Sequence, residues 1–594
     1  MNPREVLSSV FGHADFRVPQ EQIINDVVAG RDCLAIMPTG AGKSLCYQVP
    51  ALVRPGTALV ISPLIALMED QVRALTAQGV RAATLNSQSA DGGQVWRDFV
   101  DGQLDLLYVS PERALSDGFG QMVQRTEIAL IAIDEAHCVS QWGHDFRPEY
   151  RRLRPFCDAL PGVPRIALTA TADRETRADI ARQLGIGDDR ITLSGFDRPN
   201  ICYEVIGRDN IRRQLLAFMA GHSGQAGIIY APTRAGTEKI CDWLVEAGYR
   251  ARPYHAGLEA GIRSRHQVDF VASEDMVMVA TIAFGMGINK PDVRFVVHAG
   301  LPKSIEAYYQ ETGRAGRDGD PAMAHLIWGG EDVARLRSFI AASDGNDAFK
   351  ANEARRMNAL IAFLETAGCR RQELLRYFGE DSPPACGNCD NCLNPPSLLD
   401  ATEPARKLLS AVYRTGQRFG VQHLLDVLAG KASEKVVKFG HNRSSVFGIG
   451  QEWPTDQWKS LARQLEAMDA LERDPEGGGL VLGPAARAIL KGEVAIKLKQ
   501  VVARRSSKAD TSSAAADVAL QDRGVFEELR ALRRQLAADA GVPPYIVFAD
   551  STLRAMAASR PRTMKEMARI PGVGAVKLES WGPAFLGAIT ASAA

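Results

Sequence analysis

This chain has no excess of either charge, no long apolar run and no dense set of cysteines. Its 70 Lys and Arg balance 70 Asp and Glu, so bulk charge gives no support for a nucleic-acid partner. Any such claim rests on local patches. The longest apolar stretches fall far short of the ~20 residues that a membrane span needs, so no membrane partner is expected. The stretch from Met1 to Phe16 lacks the apolar core of a secretory signal. Ten cysteines in 594 residues are not a disulfide scaffold, and a reducing cytoplasm is the natural compartment. Six of them are scattered, whereas Cys369, Cys386, Cys389 and Cys392 lie close together and none follows. The length exceeds a single core and implies about three to five domains.

What is present is sharper. Met37-Pro38-Thr39-Gly40-Ala41-Gly42-Lys43-Ser44 reads as a phosphate-binding loop between the apolar run Cys33–Ile36, a buried strand, and a helix predicted from Lys43 onward. Gly40 and Gly42 let backbone N–H groups close on phosphate oxygens at a helix N-terminus, where the dipole favours anions. Lys43 then reaches the terminal phosphates and Ser44 offers a hydroxyl to Mg²⁺. Met37 departs from the strict pattern, so the reading depends on an acidic partner. About ninety residues on, Ile131-Ala132-Ile133-Asp134-Glu135-Ala136-His137 supplies it. Asp134 at a strand end suits Mg²⁺, and Glu135 suits the general base that polarises an attacking water. The pair of motifs implies a chain that binds and splits a nucleoside triphosphate.

Up to about residue 335, short apolar runs alternate with helical periodicity, which predicts parallel α/β layers. Strands are expected at 58–61, 106–109, 130–133 and 165–168, then at 227–230, 277–280 and 295–298. Only the first set carries a phosphate loop, so a site completed between two similar layers is expected. In the second layer, Arg314 and Arg317 of Gln310-Glu311-Thr312-Gly313-Arg314-Ala315-Gly316-Arg317 are placed three apart on a helix, facing one way. A loose transition state at the γ-phosphate needs added positive charge, and a guanidinium fork supplies it.

The segment Ser140–Pro148 follows the acidic motif with Trp142, His144, Phe146 and Arg147 in a Gly/Pro-punctuated loop. Such residues are poor core material and good stacking material for unpaired bases. Cys369 with Cys386-x₂-Cys389-x₂-Cys392 offers four thiolates, enough for closed tetrahedral zinc. A redox pair or an iron–sulfur cluster uses the same residue types. Beyond the cysteines, Trp458, Leu461, Leu465 and Met468 mark one helical face. Residues 503–520 are Ala/Ser-rich without an apolar stripe and read as a flexible linker. Val525, Leu529, Leu532 and Leu536 then resume a helical stripe, and Ile570–Gly574 reads as a tight inter-helix turn.

In this order, and nearly end to end, the motifs resemble those of the RecQ family of DNA helicases. Phe11-Gly12, Phe16-Arg17 and Gln20 resemble its nucleotide-recognition motif, in which Gln20 would read the adenine edge and Arg17 would pack on its face. His13 stands where an aromatic such as Tyr is expected. Ser62-Pro63-Leu64, Ser110-Pro111-Glu112-Arg113, Thr169-Ala170-Thr171-Ala172 and Thr281–Asn289 resemble tracking and coupling motifs. By the same resemblance, His137 would bridge towards Gln310. The fold implied is α/β: two tandem RecA-like domains (1–205 and 206–335), a helical Cys₄ zinc-binding domain (336–400) and a winged helix (401–502). The linker (503–520) and a small all-α HRDC module that binds DNA (521–594) follow. Implied cofactors are ATP, Mg²⁺ and Zn²⁺. Implied partners are single-stranded and forked or partially duplex DNA, with a single-strand-binding protein as a further candidate. The implied activity is ATP-driven 3′→5′ translocation and unwinding. Two rivals remain at this point: an RNA helicase, because the chain spells Asp-Glu-Ala-His, and a DNA-binding scaffold without catalysis.

Overall fold

The computed structural model describes residues 2–86, 92–140, 146–285, 290–343, 345–382, 385–474, 479–499 and 522–592. The 503–520 segment read as a linker lies outside them, as do Trp142 and His144. The chain divides into two compact units. One comprises Met1–Pro302, Glu306–Asp332 and Ser512–Ala594; the other comprises Lys303–Ile305 and Val333–Thr511.

The first unit holds two parallel sheets. In the first lobe the strands are β1 (Cys33–Ile36), β2 (Thr57–Ile61), β3 (Ala82–Leu85), β4 (Leu106–Val109), β5 (Ile128–Ile133), β6 (Arg165–Thr169) and β7 (Ile191–Leu193). They lie in the order β3-β4-β2-β5-β6-β1-β7. β1, β2, β4 and β5 are buried along their whole length, which is why they read as continuous apolar runs: helices cover both faces of a parallel sheet. β1 and β5 flank β6, with Ala35 opposite Leu168 and Ala132 opposite Ile166. The loops leaving β1 and β5 therefore emerge on the same edge, at the carboxyl ends of the strands.

The second lobe contains β8 (Ile201–Gly207), β9 (Gly227–Tyr230), β10 (Ala251–Tyr254), β11 (Val277–Ala280), β12 (Phe295–His298) and β13 (Ala322–Trp328), ordered β10-β11-β9-β12-β13-β8. β8 pairs with β13 from Ile201 opposite Ala322, so a boundary at 205/206 cuts a strand of the second lobe. Its half-exposed edge position, with no continuous apolar run, hid it from the sequence pattern. The expected helix through the two arginines also ends early. Helix Ile305–Thr312 stops before Gly313, and Arg314 and Arg317 sit in the turn that follows, where Gly316 takes φ +55°. Gly316 has no Cβ to clash in that left-handed conformation, so the chain turns tightly there.

The C-terminal helices of the first unit run Arg523–Ala540, Pro544–Val547, Asp550–Ser559, Met564–Met567 and Ala575–Ala591. Leu529 is buried in their core with Phe548, Leu553, Met556 and Phe585. The expected turn at Ile570–Gly574 joins the last two, with Gly572 at φ +89°.

The second unit packs Trp458, Leu461 and Leu465 of helix Thr455–Ala467 into a core with Leu408, Leu424 and Leu428. Met468, placed on the same face by periodicity, is instead the exposed residue capping that helix. Two antiparallel pairs complete the unit: Leu471–Arg473 with Leu480–Leu482, and Leu398–Asp400 with Lys497–Lys499.

A histidine pair lies in this core. His423 Nε2 is 2.7 Å from His441 Nδ1, and Phe419 stacks on His423 with ring centroids 4.1 Å apart. Burial, then the charges on His441 and Lys435, hold His423 down to about 4 from the ordinary 6.5, with Asp426 opposing. His441 is lowered as well, by burial and by Arg418. An imidazole kept neutral by the fold contributes its full stability above 6.5 and loses it as pH falls towards 4. Thermal unfolding of this unit, followed by tryptophan fluorescence, should shift downward over that window. His423→Phe should flatten the slope; an unchanged slope would exonerate the pair.

Candidate nucleotide and zinc sites

The loop after β1 is built as the sequence implies, with one shift. Gly40 and Gly42 take φ +86° and +79°, a region that L side chains enter at a cost of about 1–2 kcal/mol. They keep the loop non-helical, so the helix starts at Leu45 rather than Lys43. Lys43 Nζ turns back to the carbonyls of Met37 (3.2 Å) and Pro38 (3.5 Å). Burial lowers its pKa, against the charges of Glu135 and Asp134.

Asp134 leaves β5 with its backbone N–H on the Ile61 carbonyl at 2.9 Å, and Tyr150 OH donates to the Asp134 carbonyl at 3.0 Å. Burial, then the adjacent Glu135 charge, push the Asp134 carboxyl up to about 7, with Lys43 opposing. Glu135 occupies the left-handed region at φ 49°, a strained conformation for a non-glycine residue. It aims its carboxylate at His137, Oε2 to Nδ1 3.3 Å. Asp134 and Glu135, both within electrostatic reach of Lys43, are an adjacent pair of acids whose oxygens suit a hard divalent cation.

Both lobes contribute to this place. A Cβ added to Gly40 would lie 3.5 Å from Arg317 Cα and Cγ, and one on Gly313 would lie 3.4 Å from Thr39 Cβ. The arginine motif thus rests on the phosphate loop. Arg317 is pulled down to about 9 by burial and by the like charges of Arg314 and Arg198. Arg314 is buried, and among the described residues its Nε has no hydrogen-bond partner.

In the second unit the four sulfurs of Cys369, Cys386, Cys389 and Cys392 lie within 4.8 Å of one another. Tetrahedral zinc with 2.3 Å bonds separates its sulfurs by about 3.8 Å, so the cluster fits that ion. Cys369 and Cys389 cap the helices Arg370–Tyr377 and Asp390–Leu393, and the Asn388 N–H points at Cys386 Sγ, 3.3 Å away. Burial, with the neighbouring sulfurs adding to it, raises the Cys386 thiol, a penalty that a bound cation reverses. Arg370 and Asp390 brace the cage, Nε to Oδ1 2.6 Å.

Five family models match the chain in series: DEAD/DEAH box helicase (residues 17–180), helicase conserved C-terminal domain (209–319), RecQ zinc-binding (330–393), RQC domain (395–507) and HRDC domain (522–589). The ATP-dependent DNA helicase RecQ of Haemophilus influenzae is 44% identical over 588 residues, covering 98% of this chain and 95% of the relative. The protein of the same name in Bacillus subtilis is 38% identical over 595 residues, covering 99% and 98%. This chain belongs to the RecQ family. It is an ATP-dependent DNA helicase of recombination and repair, with ATP, Mg²⁺ and zinc as its cofactors. Among the described residues no helix is long and apolar enough to cross a membrane.

The remaining residues read from the resemblance fall around the RecQ nucleotide site. Gln20 donates through Nε2 to the carbonyls of Ala41 (3.0 Å) and Gly42 (3.2 Å), and its Oε1 accepts from Arg17 N–H at 2.8 Å. Its amide thus faces the phosphate loop rather than an open base edge. Arg17 Nη1 reaches the Gly40 carbonyl at 3.2 Å. His13 is lowered by burial, then by Arg17 and Lys577. His137 meets Thr169 Oγ1 at 3.0 Å, and Gln310 donates to Thr171 Oγ1 at 3.4 Å. Thr169 Oγ1 donates to the Thr171 carbonyl at 3.3 Å, so the path from His137 to Gln310 runs over two threonines at the end of β6. In the aromatic loop, Phe146 is exposed with Arg151 5.1 Å above its ring, and Arg147 reaches the Pro63 carbonyl at 3.4 Å.

Sequence reasoning missed Arg198. Buried between the lobes, it donates to the carbonyls of Thr39 (2.6 Å), Gly313 (3.0 Å), Ala315 (2.8 Å) and Gly316 (2.9 Å). It ties the phosphate loop to the arginine motif. The available signal was Asp197-Arg198-Pro199-Asn200, a charged, proline-marked segment at the junction of two layers.

Proposed function

We propose that the nucleotide site works as a two-state clamp closed by Lys43 on the first lobe and by Arg314 and Arg317 on the second. The observation that carries this reading is the seating of Arg317 on Gly40. Thr39, Gly40, Ala41, Gly42 and Ser44 cradle the phosphates, and Lys43 exchanges its loop carbonyls for the terminal phosphates. Ser44 and Asp134 would hold Mg²⁺, which would supply positive charge beside the phosphates. Glu135 orients the attacking water. Arg17 packs on the face of the base, and Gln20, held on the loop's carbonyls in this structure, exchanges them for the adenine edge when nucleotide enters. Arg317 and Arg314 add charge where the transferring phosphoryl develops it. Loss of the γ-phosphate removes a contact made only in the closed form, so the cleft relaxes.

The strand grip is assigned to Trp142, His144, Phe146 and Arg147, coupled to the site through the Arg147–Pro63 contact and the His137–Thr169–Thr171–Gln310 path. We take movement to be 3′→5′, the functional domains to run as 1–200, 201–335, 336–400, 401–502 and 521–594, with β8 in the second, and zinc to be bound by the four cysteines. The substrates are forked and partially duplex DNA. We take a single-strand-binding protein to meet the enzyme on the exposed strand, and the nucleoid to be where it acts.

Strand displacement on duplexes with a 3′ or a 5′ tail tests the direction. With ATP the 3′-tailed DNA should be opened and the 5′-tailed DNA left paired, and Lys43→Ala should open neither. Preference for the 5′ tail would reverse the assigned polarity.

A further inference from the structure

The C-terminal helical module of the first unit rests on both lobes. On the second lobe, one carboxylate takes two guanidinium groups: Arg530 Nη2 is 2.6 Å from Glu274 Oε2, and Arg533 Nη2 is 2.7 Å from Glu274 Oε1. Arg554 meets Asp320 at both of its oxygens, Nη1 to Oδ1 at 2.6 Å. On the first lobe the contact is backbone on backbone. Gly572 N–H donates to the Gly12 carbonyl at 2.8 Å. A Cβ on Gly12 would stand 2.7 Å from Gly574 N, and one on Gly574 would stand 3.0 Å from the Val10 carbonyl oxygen. Only paired glycines permit that approach. Tyr545 lies within electrostatic reach of Asp70 and Arg73 on one lobe and of Asp292 and Arg317 on the other.

The chemistry of the charged half is that of phosphate recognition. Planar guanidinium forks on paired oxygens bind carboxylate and phosphate alike. Arg530 and Arg554 both lean on Phe526, 5.8 and 5.9 Å from its ring, so an aromatic face lies beside the two forks. Arginines interleaved with an aromatic ring make the kind of surface that tracks a single strand. In this structure that surface is spent on acids of its own chain.

We propose that Glu274 and Asp320 stand in for two backbone phosphates and hold the module's arginine face in check, so that docking on the lobes and binding of a DNA strand exclude each other. Glu274 and Asp320 lie outside the nucleotide machinery, and this inference does not depend on the roles assigned there. Arg533 also bonds Asp550 and the Phe548 carbonyl within its own module, so the acids on the lobe are the cleaner handles. Docking has a second support in the Gly12–Gly574 approach, which Gly574→Ala would obstruct without touching any charge.

The test uses the full chain, hydrogen exchange and a fluorescent oligothymidylate. In the wild type without DNA, the 570–574 turn and helix Arg523–Ala540 should be protected, and saturating oligonucleotide should remove the protection of the turn. Glu274→Gln/Asp320→Asn should lose that protection without DNA and bind the oligonucleotide about tenfold more tightly, the factor expected when two to three partly buried ion pairs no longer compete. Gly574→Ala should move both readouts in the same direction. A turn that stays protected at saturation, or an affinity that is unchanged or weaker in the double variant, would overturn the proposal.

Discussion

Arg317→Ala should lower DNA-stimulated kcat for ATP by about a thousandfold, the scale on which an arginine finger acts, while nucleotide still binds. The reason is geometric. Arg317 packs on Gly40 from the opposite lobe, so it can stabilise charge developing on the phosphoryl group only when the two lobes are closed. Its guanidinium is pulled down to about 9 by burial and two neighbouring arginines. The nucleotide-free fold therefore gains little from it, and the variant should melt no lower than the wild type. Arg317→Lys should recover only part of the rate, because an ammonium lacks the fork. Steady-state phosphate release, nucleotide titration and a thermal melt together check this. A variant that melts much earlier with kcat intact would recast Arg317 as a structural residue.

Zinc removal should be nearly as damaging, but elsewhere. Structural zinc sites contribute roughly 10–16 kcal/mol of apparent binding energy to small domains that have little other core. The braces around this one, Arg370 on Asp390 and Asn391 on the carbonyls of Thr366 (2.9 Å) and Gly368 (2.7 Å), are arranged about the four cysteines. Cys389, fully buried, is the sulfur with least room to be replaced. Cys389→Ser should lose the metal on elemental analysis and become cleavable by protease between residues 366 and 393, while nucleotide binding in the first unit persists. Retained zinc with unchanged protease resistance would remove Cys389 from the ligand set.

What the sequence made legible was what is local. Met37–Ser44 and Ile131–His137 carry their meaning within eight residues or fewer, because a strand, a turn and an adjacent acid are encoded side by side. The Cys386-x₂-Cys389-x₂-Cys392 spacing works the same way. Arg198 was not legible because its role is made by reaching 115 to 118 residues away to the carbonyls of Gly313, Ala315 and Gly316. No periodicity marks a lone arginine that crosses a cleft. The strand Ile201–Gly207 was missed because an edge strand buries only part of itself. The spacing of Arg314 and Arg317 suits a helix, whereas the helix ends at Thr312 and both arginines lie in the turn that follows. Met468 had the right period but stood one residue past the helix end. The docking of the C-terminal module was invisible for a similar reason: Arg533 and Glu274 are 259 residues apart.

One chain builds one nucleotide site from its own two lobes. Lys43→Ala and Arg317→Ala disable opposite halves of that site, so the decisive measurement is DNA-stimulated ATP hydrolysis by an equimolar mixture of the two variants. The mixture should stay as inactive as either variant alone. Recovery of substantial activity would mean that the arginine and the lysine meet across different chains, and would contradict a site built by one chain.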